Sequence, residues 1–558
     1  MHVVSLFLRS NPARLLLGWL IVRTLIWTFA MAFGHPNAQI DMIEWGSWGG
    51  VTTWGYPKHP PLPGWIAGLF LKLSPGGVWG LYFAGYLFAA GCLWAAWKLA
   101  SEFMSPQRAI FAALSLDGLA YLTNDPADYS NNIVTNILWA YTAWFIYRAI
   151  RTNRLGWWIA VGVVVGLAIL TKYTIGVLLF PLAIYVLWDR SARQCLRSPG
   201  LYISILIALG MIVPHLLWLK EHDFITIKYI AERSADDSGI LSHIANPLLF
   251  IAGQSAILVP VVFILFPILG WQTNPPTRRS RSARPSTSPQ RGEVESVAVI
   301  EGIPSAIAPT SPCKGEVASR SETGEGVFST STLLSRQDRW FLHAAVWGPV
   351  IFFLMVSLLT GGVLRVVWAS PLWTFAGVWL LAIFPARMNR EALRKVLIRW
   401  IIFVIGIPVF AVGFQLTEPY TVRKTDGRTL FPGKQLSNEV IRLWNERYDA
   451  PFEIVAGEPW RAGNICVYSV HRPMLYSSGM MGYMEMDAKH TPWTNDEDFT
   501  RRGGVIVWDA DLNNDQMVAI LKQRFPTAEF LPPLELYFQT PVPHPPTRIG
   551  LAFLPPQK

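Results

Sequence analysis

The sequence predicts a mainly α-helical, polytopic membrane protein that ends in a small α/β domain outside the hydrocarbon. The composition is the first sign: 52% of the 558 residues are hydrophobic and only 15% charged, which is outside the usual range for a soluble globular chain. The second is a recurrence of long apolar runs, each able to cross a bilayer core of about 30 Å at roughly 1.5 Å rise per residue. The third is a change of pattern near Thr417, where these runs give way to short apolar stretches separated by polar helical sequence.

Taken in order, the apolar runs fall at 12–33, 78–100, 108–123, 131–150, 157–171, 174–188, 200–219, 246–270, 340–360, 363–385 and 397–415. That predicts about 11 transmembrane helices. The connections after every second run carry Arg108; Arg148, Arg151 and Arg154; Arg190, Arg193 and Arg197; an Arg-rich insert; and Arg387, Arg390, Arg394 and Lys395. Basic connections stay in the cytoplasm. The N-terminus is therefore expected inside, and the opening loop and the region past Leu416 outside. The formal charge of +10 is an orientation signal. Its scatter over short loops excludes a nucleic-acid-binding face. The first run, with Arg9 and Arg14 before it and no small-residue cleavage site after it, reads as a retained helix.

Four regions follow: a membrane core over 1–270, an insert over 271–339, further transmembrane helices over 340–416 and a soluble domain over 417–558. The insert is rich in Pro, Ser, Arg and Gly, and its SPQRGEV at Ser288–Val294 is echoed by SPCKGEV at Ser311–Val317. That composition predicts a disordered cytoplasmic segment without catalytic role. In the tail, VIVWDADL (Val505–Leu512) and AGNICVYSV (Ala462–Val470) read as core segments of an α/β domain, with a helix near Ser437–Arg447. At about 140 residues such a domain can bury a core of its own. Of Cys92, Cys195, Cys313 and Cys466 only the last falls outside, so no intramolecular disulfide is expected there.

The candidate chemistry lies between Asp41 and Trp65. This loop holds Asp41, Glu44, Lys58 and His59 at the membrane edge, with Pro57, Pro60, Pro61 and Pro63 stiffening the backbone. The set suits glycosyl transfer from a lipid phosphate. The leaving group is already a stable anion, so cationic or hydrogen-bonding side chains must hold its charge while a carboxylate takes the acceptor's proton. Asp41 or Glu44 can be that base, and their spacing puts both on one face of a helix. Lys58 and His59 can hold the phosphate. A plainer alternative is that all four sit among lipid headgroups, with the tryptophans as an interfacial belt.

The string Asp41-x-x-Glu44-Trp45-Gly46, followed by Gly55-Tyr56-Pro57-Lys58-His59-Pro60-Pro61-Leu62-Pro63-Gly64-Trp65, resembles the first outer loop of bacterial membrane glycosyltransferases related to protein O-mannosyltransferases and lipid A aminoarabinose transferases. The resemblance implies the GT-C fold and a polyprenyl-phosphate sugar donor. It implies Asp41 as the catalytic base and Lys58, beside the paired prolines, as the donor-phosphate contact. Many relatives have adjacent Asp and Glu where Met42 follows Asp41 here, so the inheritance of Glu44 stays open.

The resemblance extends to about residue 270. NDPADYSNN (Asn124–Asn132) matches a second outer loop in which Asp128, with Asp125 as competitor, implies a carboxylate that orients the acceptor or binds a divalent cation. Both could equally cap a helix starting near Ser130. In LAILTKYTIG (Leu167–Gly176), Lys172 either reaches a lipid phosphate or snorkels. His215, in PHLLWL, reads as a packed histidine. Arg365, before W-x-x-P, is a secondary phosphate candidate. FPGKQL (Phe431–Leu436) and HRPMLY (His471–Tyr476) fit the same subfamily without an assigned chemistry. No P-loop, Rossmann glycine fingerprint, HExxH or CxxC is present, so a nucleotide-sugar donor is unsupported. The expectation is an inverting, polyprenyl-phosphate-sugar-dependent glycosyltransferase acting on a lipid, glycan or protein, with no certain cofactor beyond the option of a divalent cation. The alternative is a transporter or flippase of lipid-linked saccharides, marked by mid-membrane charges and internal repeats.

Overall fold

The structure is a computed structural model that describes residues 11–235, 239–269, 334–386, 388–421, 427–477, 486–512, 514–540 and 545–557. The expected insert lies almost entirely outside these residues, as do both copies of its repeated element. The last stretch assigned to it is helical. The helix Arg336–Thr360 begins where Ser335 accepts from Asp338 N–H at 3.1 Å and donates to the Asp338 carboxylate at 2.7 Å, a reciprocal cap that starts the helix four residues before the apolar run.

The protein is a multi-pass membrane protein. Among the described residues six helices are long and apolar enough to span a bilayer: Pro12–Gly34, Trp79–Ala100, Pro199–Glu221, Gly239–Leu265, Arg336–Thr360 and Arg390–Phe414. The helix Asn131–Thr152 is as long but buries Asn131, Thr135, Asn136 and Thr142 inside the protein, and Leu155–Ile169 and Gly176–Trp188 are shorter. Two of the expected spans are broken. The run 108–123 divides into Pro106–Ser115 and Ala120–Thr123, and the run 363–385 yields only a short turn and Ala376–Ile383.

One break encloses a charge that hydropathy conceals. Asp117 accepts from Arg23 Nε at 2.8 Å, from Trp400 Nε1 at 2.9 Å and from Trp19 Nε1 at 3.2 Å, and both Arg23 and Asp117 are almost wholly shielded from solvent. Paired and hydrogen-bonded on both sides, the two charges tie three segments together. This arrangement is a structural clamp.

The C-terminal part contains a five-stranded sheet in the order β2-β1-β3-β5-β4, with β1 Ile454–Gly457, β2 Met474–Tyr476, β3 Gly504–Asp509, β4 Glu529–Leu536 and β5 Thr547–Leu554. β1 runs parallel to β2 and β3, while β5 is antiparallel to β3 and β4. The helix Pro459–Tyr468 makes the crossover from β1 to β2.

On one face the sheet closes a core of its own, with Ile454, Phe499, Ile506 and Phe525, and on the other it shares a core with the opening loop. One apolar cluster joins Val455, Val467, Val505 and Phe553 to Met42, Trp45, Trp48 and Tyr56 of the opening loop. The contact is close because Gly463 lies under Ile43, where a methyl group would meet the Ile43 side chain at 2.8 Å. The two quoted tail motifs complete the attachment. Arg472 Nη2 donates to the carbonyls of Ser74 and Gly77 at 2.9 and 3.1 Å. The segment before FPGKQL is pinned by Asn37, whose N–H donates to Thr429 O at 2.9 Å and whose side chain donates to Arg428 O at 3.2 Å.

Candidate active site

The opening loop is not an extended connection but two short helices, Ile40–Trp48 and Leu62–Leu71, joined by the proline-rich turn. Two of the prolines have a clear local task. Pro61 and Pro63 sit at the start of the second helix, where the missing N–H leaves nothing unsatisfied. Between them and the first helix, Tyr56 and His59 exchange backbone hydrogen bonds of 3.0 and 3.3 Å, a tight turn that presents Lys58. The two helices approach so closely that a methyl group on Gly68 would stand 2.3 Å from Gly49 O.

Asp41 lies in the first turn of Ile40–Trp48, with Glu44 one turn later. The helix lacks a side-chain cap of its own at Gln39. Asp128 supplies one from the second loop, accepting from Met42 N–H at 2.9 Å. The structure thus settles the capping question in an unexpected way: Asp128 caps the helix that carries Asp41 and not the one that begins after Ser130, which has no side-chain cap. Asp125 heads the short turn that delivers Asp128.

Three cationic side chains act on this carboxylate pair. Lys58 forms an ion pair with Glu44 and lies 5.8 Å from the Trp48 ring centroid. Lys172 does not snorkel: its ammonium donates to Asn132 Oδ1 at 2.6 Å and its charge is felt at Asp41. Arg428, from the segment pinned to Asn37, adds a third positive field. His59 stacks on Trp45 at 5.6 Å and meets Tyr229 edge-on at 5.8 Å.

The electrostatics follow from burial and from these neighbours. Burial, reinforced by Glu44, raises the Asp41 carboxyl to about 6, against the lowering pull of Lys58, Lys172 and Arg428. Burial and the adjacent Asp41 push Asp128 well above the usual carboxylate range despite its backbone hydrogen bonds, and burial also raises Asp125. Burial draws Lys172 down to about 8 although Asp41 opposes it. Burial would lower Lys58 too, but Glu44 more than reverses that and keeps the ammonium charged. His59 is held well below its ordinary value by burial and by Lys172 and Lys58, so it is a neutral hydrogen-bonding group.

Asp41, Glu44, Lys58, His59, Asp128 and Lys172 are therefore brought together. Arg365 is not: it is exposed, with its guanidinium 5.8 Å from the Trp368 ring, and no ion pair among the described residues joins it to the cluster. His215 is buried and fully engaged, with Nδ1 at 2.6 Å from Trp54 O and Nε2 at 2.7 Å from the Tyr173 hydroxyl, so it fastens the opening loop to the helix Pro199–Glu221. Sequence reading missed Arg428, Asn132 and Tyr229. Two of them had a signal: Arg428 lies three residues before FPGKQL, and Asn132 closes the NDPADYSNN motif. Among the described residues no group of three or more His, Cys, Asp or Glu side chains is placed to hold a metal ion.

Comparison with known proteins bears out the resemblance to GT-C glycosyltransferases. Residues 58–218 match the family described as dolichyl-phosphate-mannose-protein mannosyltransferase. That match begins at Lys58 and does not include Asp41. Over 240 residues, 43% of the chain, the sequence is 22% identical to lipid A galacturonosyltransferase RgtD of Rhizobium johnstonii, and the match spans half the length of that relative. The fold resembles that of ArnT from Cupriavidus metallidurans crystallised with undecaprenyl phosphate, with a TM-score of 0.59 at 12% identity over 96% of this chain and 98% of the other.

Proposed function

We propose that this protein is a glycosyltransferase that moves a sugar from a polyprenyl-phosphate donor to a lipid, glycan or protein acceptor at the outer face of the bacterial inner membrane. The observation that carries the reading is Asp41, a half-buried carboxyl raised to about 6 and surrounded by Lys58, Lys172 and Arg428. A base is most effective when its pKa lies near the working pH, and cations beside it are positioned for the anion that leaves. The names of the relatives are in keeping with this: one is a lipid A galacturonosyltransferase, another was crystallised with undecaprenyl phosphate.

In this mechanism Asp41 takes the proton from the acceptor hydroxyl, whose oxygen attacks the anomeric carbon as the bond to the phosphate oxygen breaks. Attack opposite the leaving group inverts that carbon. Lys58 and Lys172 hold the phosphate. Glu44 keeps Lys58 charged and in place, so it acts as a positioning residue and not as a second base. His59 donates a neutral hydrogen bond, and Asp128 fixes the helix that carries Asp41. Arg365 enters only as a secondary contact for the donor lipid. The described residues group no metal-ligating set of side chains here, so the charge of the leaving phosphate falls to Lys58 and Lys172. In this reading the first helix has its N-terminus in the cytoplasm, and the sheet lies with the opening loop on the outer side.

The test is transfer of radiolabelled sugar from a polyprenyl-phosphate donor by the protein reconstituted in lipid. Covalent product that depends on Asp41 supports the reading. Movement of the lipid-linked sugar across the bilayer without product would support a flippase instead.

A further inference from the structure

The C-terminal sheet carries a cavity whose lining includes none of Asp41, Glu44, Lys58 or Lys172. The cavity, of about 470 Å³, opens where β1 and β3 end side by side. From β1 the chain crosses over to β2 on one side, while β3 lies on the other, so the neighbouring parallel strands diverge between β1 and β3. Crevices at the carboxyl ends of strands at such a switch point are where open α/β sheets bind ligands.

The lining specifies the ligand's chemistry. One wall is aromatic: Phe431 lies 5.5 Å from Trp460 and 6.1 Å from Phe538. The opposite wall is polar: Arg461 pairs with Asp509 at 2.7 Å, and Asp511 accepts from Arg548 N–H at 3.0 Å. An anion would ordinarily be drawn to the start of the helix Pro459–Tyr468. That position is taken, because the Glu458 carboxylate accepts from Trp460 and Arg461 N–H at 3.2 and 3.0 Å. Arg461 is likewise shared between two carboxylates. Such a cavity suits a ligand with an apolar ring face and many hydroxyls better than a phosphate: the ring C–H groups meet the negative faces of the aromatics, and the hydroxyls meet carboxylate acceptors and guanidinium donors.

We propose that this cavity is a saccharide subsite that holds the sugar portion of the acceptor. The proposal rests on the transferase reading above. Arg428 forms part of the cavity wall, its carbonyl is bonded to Asn37 four residues before Asp41, and its charge is felt at Asp41. A sugar seated there is thus coupled to the helix that carries the base.

The experiment is saturation-transfer difference NMR on the full chain in nanodiscs with mannose, galacturonic acid and N-acetylglucosamine as probes. We expect transfer to the ring C–H protons of at least one sugar. The signal should fall about tenfold in Trp460→Ala and in Asp511→Asn, be retained in Trp460→Phe, and be unchanged in Asp41→Asn. Asp511 is exposed, so its variant tests the site even if Trp460→Ala fails to fold. Absence of signal with all three sugars, or equal signal in wild type and Asp511→Asn, overturns the proposal. Absence of covalent sugar transfer by the wild-type protein would overturn the transferase reading while leaving a saccharide signal intact, so the two failures are distinguishable.

Discussion

The pairing of a carboxyl near 6 with an ammonium near 8 makes the pH profile the sharpest consequence of the site. Asp41 must be ionised to accept a proton, and Lys172 must be protonated to hold a phosphate. With Asp41 raised to about 6 and Lys172 lowered to about 8, kcat/KM should be bell-shaped and highest near neutrality. At pH 5 about a tenth of the Asp41 carboxyl is ionised, so the rate should be about tenfold below the plateau. The limbs can be moved separately. Lys172→Arg keeps its charge at any accessible pH and should remove the alkaline limb. Lys172→Met removes a charge that lowers Asp41, so its acid limb should shift upward. The assay is initial-rate transfer at subsaturating donor between pH 4.5 and about 9.5, a span that covers both limbs. An acid limb near 4, or one that stays in place in Lys172→Met, would refute the reasoning, because Asp41 would then be neither desolvated nor coupled to Lys172.

The same shift has a stability sign. The Asp41 pKa is raised above its ordinary 3.8, so the folded state binds the proton more tightly, and the resulting stability is present below about pH 4 and lost as pH rises through about 6. Asp41→Asn should therefore be more stable than wild type at pH 8, by about 1–2 kcal/mol after allowance for partial exposure, and no more stable at pH 4. Thermal unfolding at the two pH values reads this. Asp128→Ala should lose about 1–2 kcal/mol with the cap on Met42 N–H, whereas Asp128→Asn, which can still accept that bond, should lose less. Gly68→Ala should lower the melting temperature, since its methyl group would meet the Gly49 carbonyl at 2.3 Å and backbone cannot move aside cheaply. Glu44→Gln should raise the donor KM more than it lowers kcat if it works through Lys58; a loss confined to kcat would make Glu44 a base after all.

What could be read in the sequence divides along a physical line. Long apolar runs report a helix that faces lipid, and the six qualifying helices were all legible. Helices packed inside protein or broken within the membrane carry no such constraint, which is why 108–123 and 363–385 were read as continuous spans. The clamp of Arg23 on Asp117 escaped notice because its partners lie about 94 residues apart in sequence. In the site, residue type and spacing pointed to Asp41, Glu44 and Lys58, because chemistry demands those groups. Their mutual arrangement was not legible. That Glu44 pairs with Lys58, that Asp128 caps the helix of Asp41 and that His59 is neutral depend on burial and on contacts between distant loops. The share of the C-terminal segment was hidden for the same reason: Gly463 under Ile43, Asn37 on Thr429 and Arg428 near Asp41 are relations across about 400 residues.

The central claim is that Asp41 takes the acceptor's proton while neighbouring cations hold the donor phosphate. The direct measurement is single-turnover transfer and donor binding side by side, for wild type and Asp41→Asn reconstituted with a radiolabelled polyprenyl-phosphate sugar. The account predicts transfer reduced by about 10²–10⁴-fold, the worth of a general base, with donor affinity within about threefold of wild type. Transfer at the wild-type rate in Asp41→Asn would contradict it.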